Sequence, residues 1–173
     1  ARGLNTRIAH AERIKTLYGS VLSGGSGERD MIAVPPVSDD EREPPQFVSR
    51  ARLVRIIKPR IEEILELLRD HSVAFALVAQ AWMPPIDTLA KALDLVTGDF
   101  AYARFIGDRK AIEAKTKRWD KVIEDKTPEM TVWVNELKKI VNKGVKTYAF
   151  FNNHYAGFAP GSIKQFEDLW EKG

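Results

Sequence analysis

Three strand-length apolar runs, each ending in polar residues able to do chemistry, set the pattern of this chain. VAFALVA leads into Gln80-Ala81-Trp82-Met83, FAYARFI into Gly107-Asp108-Arg109, and VKTYAFF into Asn152-Asn153-His154-Tyr155. Runs of this length, rich in Val, Phe and Tyr and bounded by turn residues, read as buried strands. Segments of helical periodicity separate them, and alternating strands and helices predict right-handed crossovers and a parallel sheet. In such a sheet the carboxyl ends of the strands converge on one rim, which is where a βα-barrel builds its site.

The chain has 173 residues, 44% of them hydrophobic. That suffices for one domain with a real core. A single, partial TIM-barrel-like α/β domain over 1–173 is expected, with 23–47 a flexible or irregular connection within it. The absence of cysteine excludes disulfides, thiolate metal sites and cysteine nucleophiles. It fits a reducing compartment, so a cytoplasmic location is expected. No apolar run nears the roughly 18 to 20 residues needed to cross a bilayer, and no signal-peptide pattern opens the chain, so no membrane partner is expected. The net charge of +3, from 27 basic and 24 acidic residues, favours nucleic acid only weakly.

Along the chain, Leu4, Ile8, Ala11, Ile14, Tyr18, Val21 and Leu22 recur at helical intervals and predict an amphipathic helix packed on a sheet. Ser23-Gly24-Gly25-Ser26-Gly27 is flexible by composition. With an opening Ala in place of Met, this run raises the expectation of a piece of a longer polypeptide. Met31 to Val34 reads as a short strand stopped by Pro35-Pro36, and residues 37–47 as an exposed acidic loop. Ala51 to Lys58 reads as an imperfect strand, followed by a helix on Ile61, Ile64, Leu65 and Leu68 that ends near His71. After the strand Val73 to Ala79, Asp87 caps a short helix running through Leu93. Phe100 to Ile106 is the next strand. Thr127-Pro128 opens a helix whose C′ residue is Gly144, and Val145 to Phe151 is the last strand. Ser162 to Gln165 reads as a capping box starting a final helix through Trp170.

The segments AFALVAQAWMPP, DFAYARFIGDRKAIE with TKRWDKV, and VKTYAFFNNHYAGFAP together resemble the C-terminal half of the YecE-like family, a TIM-barrel family of unknown function. The likeness covers about residues 60 to 172. It rests on the asparagine pair after the last strand and the strand ending in Arg-Phe-x-Gly. It implies a barrel with its site at the C-terminal rim and supplies no activity. The family's amino-terminal strand with glycine, serine and tryptophan is absent, and Arg52 to Arg60 lacks the usual carboxylate-bearing strand end. About three of the eight strands of such a barrel are missing. A sheet truncated in this way exposes edges, so self-association or a complementary chain is expected.

Within the candidate rim, Arg104 lies inside a strand and requires either a carboxylate partner, Asp99 or Asp108, or a bound anion. Arg109 and Lys110, with Lys115, Lys117 and Arg118 beyond, extend the positive charge, although most such charges are only solvated. Asn152 and Asn153 can orient a polar substrate and His154 can exchange protons near neutral pH. The plainer reading has one asparagine holding a strand-end turn and the histidine bonding a backbone carbonyl. Gln80, Trp82 and Met83 can form an apolar wall with one polar handle, or fill a core. Trp119-Asp120 lies on a long connection suited to a lid, with Asp120 as a candidate proton-transfer group. His10 and His71 fall on predicted helices, and no metal-ligand spacing appears. A glycine-rich phosphate loop, a GxSxG elbow and diagnostically spaced paired carboxylates are all absent from the sequence, and no cofactor is indicated.

The reading is thus a rim pocket for a small anionic or polar ligand, with Gln80, Trp82, Arg104, Asp108, Arg109, Asn152 and Asn153 binding and His154 or Asp120 transferring protons. The alternatives are a noncatalytic module docking through an exposed sheet edge, and nucleic-acid binding through Arg109 to Lys126 with Trp119 stacking.

Overall fold

The computed structural model describes residues 1–22, 27, 29–38 and 43–172. The chain divides into two compact units, Ala1–Ile64 and Leu65–Gly173.

In the first unit a 3₁₀ turn, Arg2–Leu4, precedes helix α1, Ile8–Tyr18, and strands β1, Met31–Val34, and β2, Gln46–Ser49, pair antiparallel. Leu4, Ile14, Ile32, Val34, Val48 and Leu53 form its core, with Ile56 and Ile57 packed alongside. The hydroxyl of Thr6 donates to the Pro35 carbonyl across this core at 2.5 Å. Helix α2, Arg50–Asp70, starts directly after β2. The strand expected from Ala51 to Lys58 is therefore helix. Leu53, Val54, Ile57, Ile61 and Leu65 recur at three- and four-residue steps, and Arg52 and Arg55, which spoil a two-residue alternation, fall on the exposed side. Pro59 lies inside α2. β2 begins at Gln46 and Phe47, the last two positions of the stretch 37–47 expected to be loop, and the Ser23–Ser26 run and residues 39–42 of the acidic stretch lie outside the described residues.

The second unit holds strands β3, Ala76–Ala79, β4, Phe100–Phe105, and β5, Lys146–Phe151, as a parallel sheet in the order β3-β4-β5. Helices α3, Ile86–Ala92, α4, Arg109–Lys115, α5, Thr127–Val141, and α6, Ala159–Lys172, connect and follow them. The mixed α/β architecture with parallel strands matches the sequence reading, and no barrel closes among the described residues. One sheet face is covered: Leu77, Ala79, Ala101, Ala103 and Phe105 are buried. Phe105 stacks on Phe151 at 4.1 Å between ring centroids and meets Trp133, Tyr155 and Phe166 edge-on. The opposite face carries Ala76, Val78, Phe100, Tyr102, Arg104, Lys146, Tyr148 and Phe150, and much of it is open to solvent.

The helix ends differ from those expected. Asp87 makes no cap bond; it sits in the first turn of α3 and pairs with Lys91 at 3.1 Å. Lys126 is the cap position of α5, which moves Thr127-Pro128 into its first turn, while Gly144 takes φ +82° just past the helix. α6 begins three residues before the expected capping box, and Ser162 is buried within it, its hydroxyl donating to the Phe158 carbonyl at 3.1 Å. The cap comes from the preceding turn: the Ala159 N–H donates to Asn153 Oδ1 at 2.8 Å. A local four-residue pattern cannot reveal a cap supplied from the preceding turn.

Candidate functional site

The carboxyl ends of β4 and β5 form the rim. Backbone pairing continues past the strands, with Ile106 and Gly107 N–H donating to the Ala79 carbonyl and Asn152 N–H to the Phe105 carbonyl. Gly107 sits at φ +73°, and a Cβ there would lie 2.4 Å from the His154 carbonyl oxygen and 2.5 Å from Tyr155 Cα. Only glycine lets these two loops approach so closely. This contact brings the turn after β4 against the turn that carries His154.

Two polar clusters result. In the first, Arg104 on the open face of β4 reaches Asn152 at the end of β5, Nη2 to Oδ1, at 3.5 Å. Arg104 is exposed, and among the described residues neither Asp99 nor Asp108 forms the ion pair expected of it. Most of its donor fork is therefore available to an anion. In the second, Glu113 Oε1 accepts from Arg109 Nε at 2.8 Å and lies 3.2 Å from His154 Nε2. The hydrogen bond from Arg109 holds the Glu113 carboxyl below the usual carboxylate range, against a smaller opposing desolvation, and His154 adds to the lowering. A carboxylate bonded to one ring nitrogen fixes the orientation of an imidazole. Trp119 sets its ring edge-on to His154 at 4.9 Å.

The remaining expected site residues have identifiable places. Asp108 caps α4, accepting from the Ala111 N–H at 3.0 Å, and Asn153 caps α6. Asn153 therefore holds the turn after the strand, while His154 bonds a side-chain carboxylate in place of a backbone carbonyl. Trp82 is 72% exposed on the turn after β3. Asp120 is exposed beside Trp119. Gln80 and Asp108 line a cavity of about 300 Å³ with Met83, Gly107, Lys126 and Glu129. Glu113 was missed in the sequence. It follows Arg109 by one helical turn, an ion-pair spacing, but its partnership with His154, 41 positions away, leaves no local mark.

Below the rim, the Tyr155 hydroxyl is buried beside the Glu129 carboxylate. Burial, reinforced by the nearby Glu129 carboxylate, raises its pKa well above the usual phenol value. Tyr155 is thus a neutral, fixed wall of the core. Among the described residues no cluster of three metal-ligating side chains occurs, and no helix is long and apolar enough to cross a membrane.

Two kinds of known protein resemble this chain. Cell division protein FtsA is 57% identical in Agrobacterium fabrum (strain C58) and 54% identical in Rhizobium meliloti (strain 1021), in each case over 71 residues. That stretch is 41% of this chain, and the chain spans only 16% of the length of these relatives. The crystal structure of a DUF72 family protein from Thermotoga maritima MSB8 is similar at 27% identity and a TM-score of 0.42, over 64% of this chain and 40% of that one. The family model described as protein of unknown function DUF72, which is the YecE family, matches residues 52–173. The match takes in all three parallel strands and both rim clusters, and by it the chain belongs to the DUF72 family.

Proposed function

We propose that the rim of the parallel sheet binds a small anionic or polar molecule, with Arg104 and Asn152 as its holding groups and His154, oriented by Glu113, exchanging a proton with it. The observation that carries this reading is the exposed Arg104 guanidinium, which has one weak bond to Asn152 and no carboxylate partner among the described residues. Arg109 is occupied by Glu113 and positions the histidine's partner. Gln80 and Trp82 stand at the neighbouring strand end, where they would border the ligand. Asp120 is a second proton-transfer candidate.

The test is thermal unfolding in increasing inorganic phosphate and malonate. Binding to the folded state raises Tm with ligand concentration. The rise should vanish in Arg104→Ala and persist in Lys117→Ala; equal rises in both variants would remove the site.

A second reading concerns assembly. Among the described residues β3 and β5 are the edge strands of the parallel sheet, and sheet edges are prone to pair with another chain. Light scattering across a dilution series would detect self-association, and a monomer at every concentration would argue against it.

We also infer that the FtsA-like stretch lies in the amino-terminal unit. The family match starts at Arg52, leaving most of Ala1–Ile64 outside it, and the 71-residue likeness is close to that unit in length. On this reading the unit docks on a cell-division partner. Producing the chain in a rod-shaped bacterium should then lengthen the cells; an unchanged length distribution would count against it.

A further inference from the structure

Arg104, Asn152 and His154 do not line the cavity of about 300 Å³ at the ends of β3 and β4. Its floor is Trp133, which is 4% exposed and packs edge-on against Phe105 on the covered side of the sheet. Three elements supply its polar side chains. Gln80 follows β3, Asp108 follows β4, and Lys126 and Glu129 stand at the start of α5. All of them belong to consecutive βα units within the family match. Met83 joins Trp133 on the apolar side, and both also line a smaller apolar cavity of about 20 Å³ that reaches Leu77 and Leu89. Asp108 uses Oδ1 to cap α4, which leaves Oδ2, and it forms no ion pair among the described residues. The Gln80 side-chain amide has no hydrogen-bond partner among the described residues. Glu129 stands beside the buried, neutral Tyr155 hydroxyl, and the Lys126 ammonium lies nearer to Glu124, at 3.1 Å, than to Glu129, at 3.9 Å.

We propose that this cavity binds a primary amine with a short apolar body. Charge selects the ligand. Asp108 and Glu129 outnumber Lys126 on the lining, and Lys126 is already shared between two carboxylates. An anion would meet Asp108 and Glu129, and a neutral molecule would cover the Asp108 charge without supplying a partner, which is costly. Hydrogen bonding agrees. An ammonium carries three donors and no acceptor. Gln80 Oε1, Asp108 Oδ2 and the Glu129 carboxylate are acceptors supplied by three separate elements. Bonds from an ammonium to a carboxylate are charge-assisted and about twice as strong as neutral ones. Met83 and Trp133 give methylene groups an apolar wall, and the volume lies at the lower end of the range for small-molecule sites. A metal ion fits less well, because no group of three His, Cys, Asp or Glu side chains able to hold one occurs among the described residues.

The test is isothermal titration calorimetry of the full chain with n-pentylamine, and with n-pentanol and pentanoate as its neutral and anionic counterparts of equal length. Saturable binding of the amine, weakened by added salt, is expected, with markedly weaker binding of the other two. Glu129→Gln keeps the size of the side chain and removes its charge; it should weaken amine binding about ten-fold or more, the worth of a hydrogen bond to a charged group. Gln80→Ala should weaken it about five-fold, the worth of a neutral one. Asp108→Asn, which retains a good cap for α4, should also weaken it. In NMR the Gln80 side-chain amide and the Trp133 indole N–H signals should shift as the amine saturates. Lys117→Gln, at an exposed position beyond α4, should bind as the parent does. Neither Arg104 nor Asn152 lines this cavity, so this result and the phosphate result at Arg104 can fail separately. Absent saturable binding of the amine, equal affinity for n-pentanol or pentanoate, or parental affinity in both Glu129→Gln and Gln80→Ala would overturn the proposal.

Discussion

Gly107 and Glu113 hold the rim together in different ways, one by having no side chain and the other by carrying a charge. Replacing Gly107 with Ala places a methyl group 2.4 Å from the His154 carbonyl at a φ of +73°, which L-residues rarely adopt. Left-handed strain alone costs about 1 to 3 kcal/mol, and the clash adds to it. Gly107→Ala should therefore lower the urea midpoint by at least that much and shift the His154 ring signals in NMR. For Glu113, the folded state lowers the carboxyl pKa below its ordinary value of 4.5, chiefly through the Arg109 hydrogen bond. The stabilisation is present above about pH 4.5 and is lost as pH falls through the lower, folded-state value. Glu113→Gln should flatten the acid limb of a Tm-against-pH curve and leave a smaller difference from the parent at pH 3 than at pH 6. A parallel acid limb in the variant would show that the pair contributes nothing. Neither role was legible in the sequence. Gly107 stands there only as the end of the Arg-Phe-x-Gly run, and Glu113 lies on a stretch read as a long connection, where the structure has α4.

Elements show a sharper contrast. β3, β4, β5 and α5 were legible because a buried strand and a half-buried helix write their environments as periods of two and of 3.6. Met130, Trp133, Val134 and Leu137 of α5 are all buried, as their spacing predicts. α2 was misread over its first turns because Pro59 reads as a break after a short apolar segment, whereas the helix runs through the proline. An interior proline forgoes one backbone hydrogen bond and crowds the preceding turn, at a cost of up to about 3 kcal/mol. Pro59→Ala should accordingly raise Tm and deepen the helical circular dichroism signal; a lower Tm would mean that a kink at this point is required. The α6 cap offers a second test. Asn153→Ala removes the acceptor for the Ala159 N–H and should cost about 1 kcal/mol, whereas Asn153→Asp should retain most of it.

Across the whole molecule, the aromatic packing around Phe105 and the open face behind it set the balance of the second unit. Phe105 has no exposed area and touches four other rings. Truncation to alanine should cost about 3 to 5 kcal/mol, measured by chemical denaturation, because the surrounding rings cannot collapse into the space. Phe150→Ser, one position from Phe151 but on the opposite face, should change stability far less and should reduce binding of hydrophobic dyes. Equal costs at the two positions would mean that the open face is covered in solution. This asymmetry follows from register: neighbouring residues of one strand meet different surroundings, one a helix layer and the other solvent.

From the chain alone came the parallel strands, their order of appearance, most of the helices, the rim as the place where polar residues gather, and the likeness to the YecE family. Each is local, written by the spacing of apolar side chains or by a short run of residues. The tertiary structure decided which polar residues act together: Arg104 with Asn152, His154 with Glu113, Asn153 with the start of α6. It also decided that Asp108 caps a helix, that Arg104 has no acid partner among the described residues, and that much of one sheet face is exposed. The first two pairings join residues more than 40 positions apart, and the energies of all of them depend on distance and burial, which spacing along a chain does not encode.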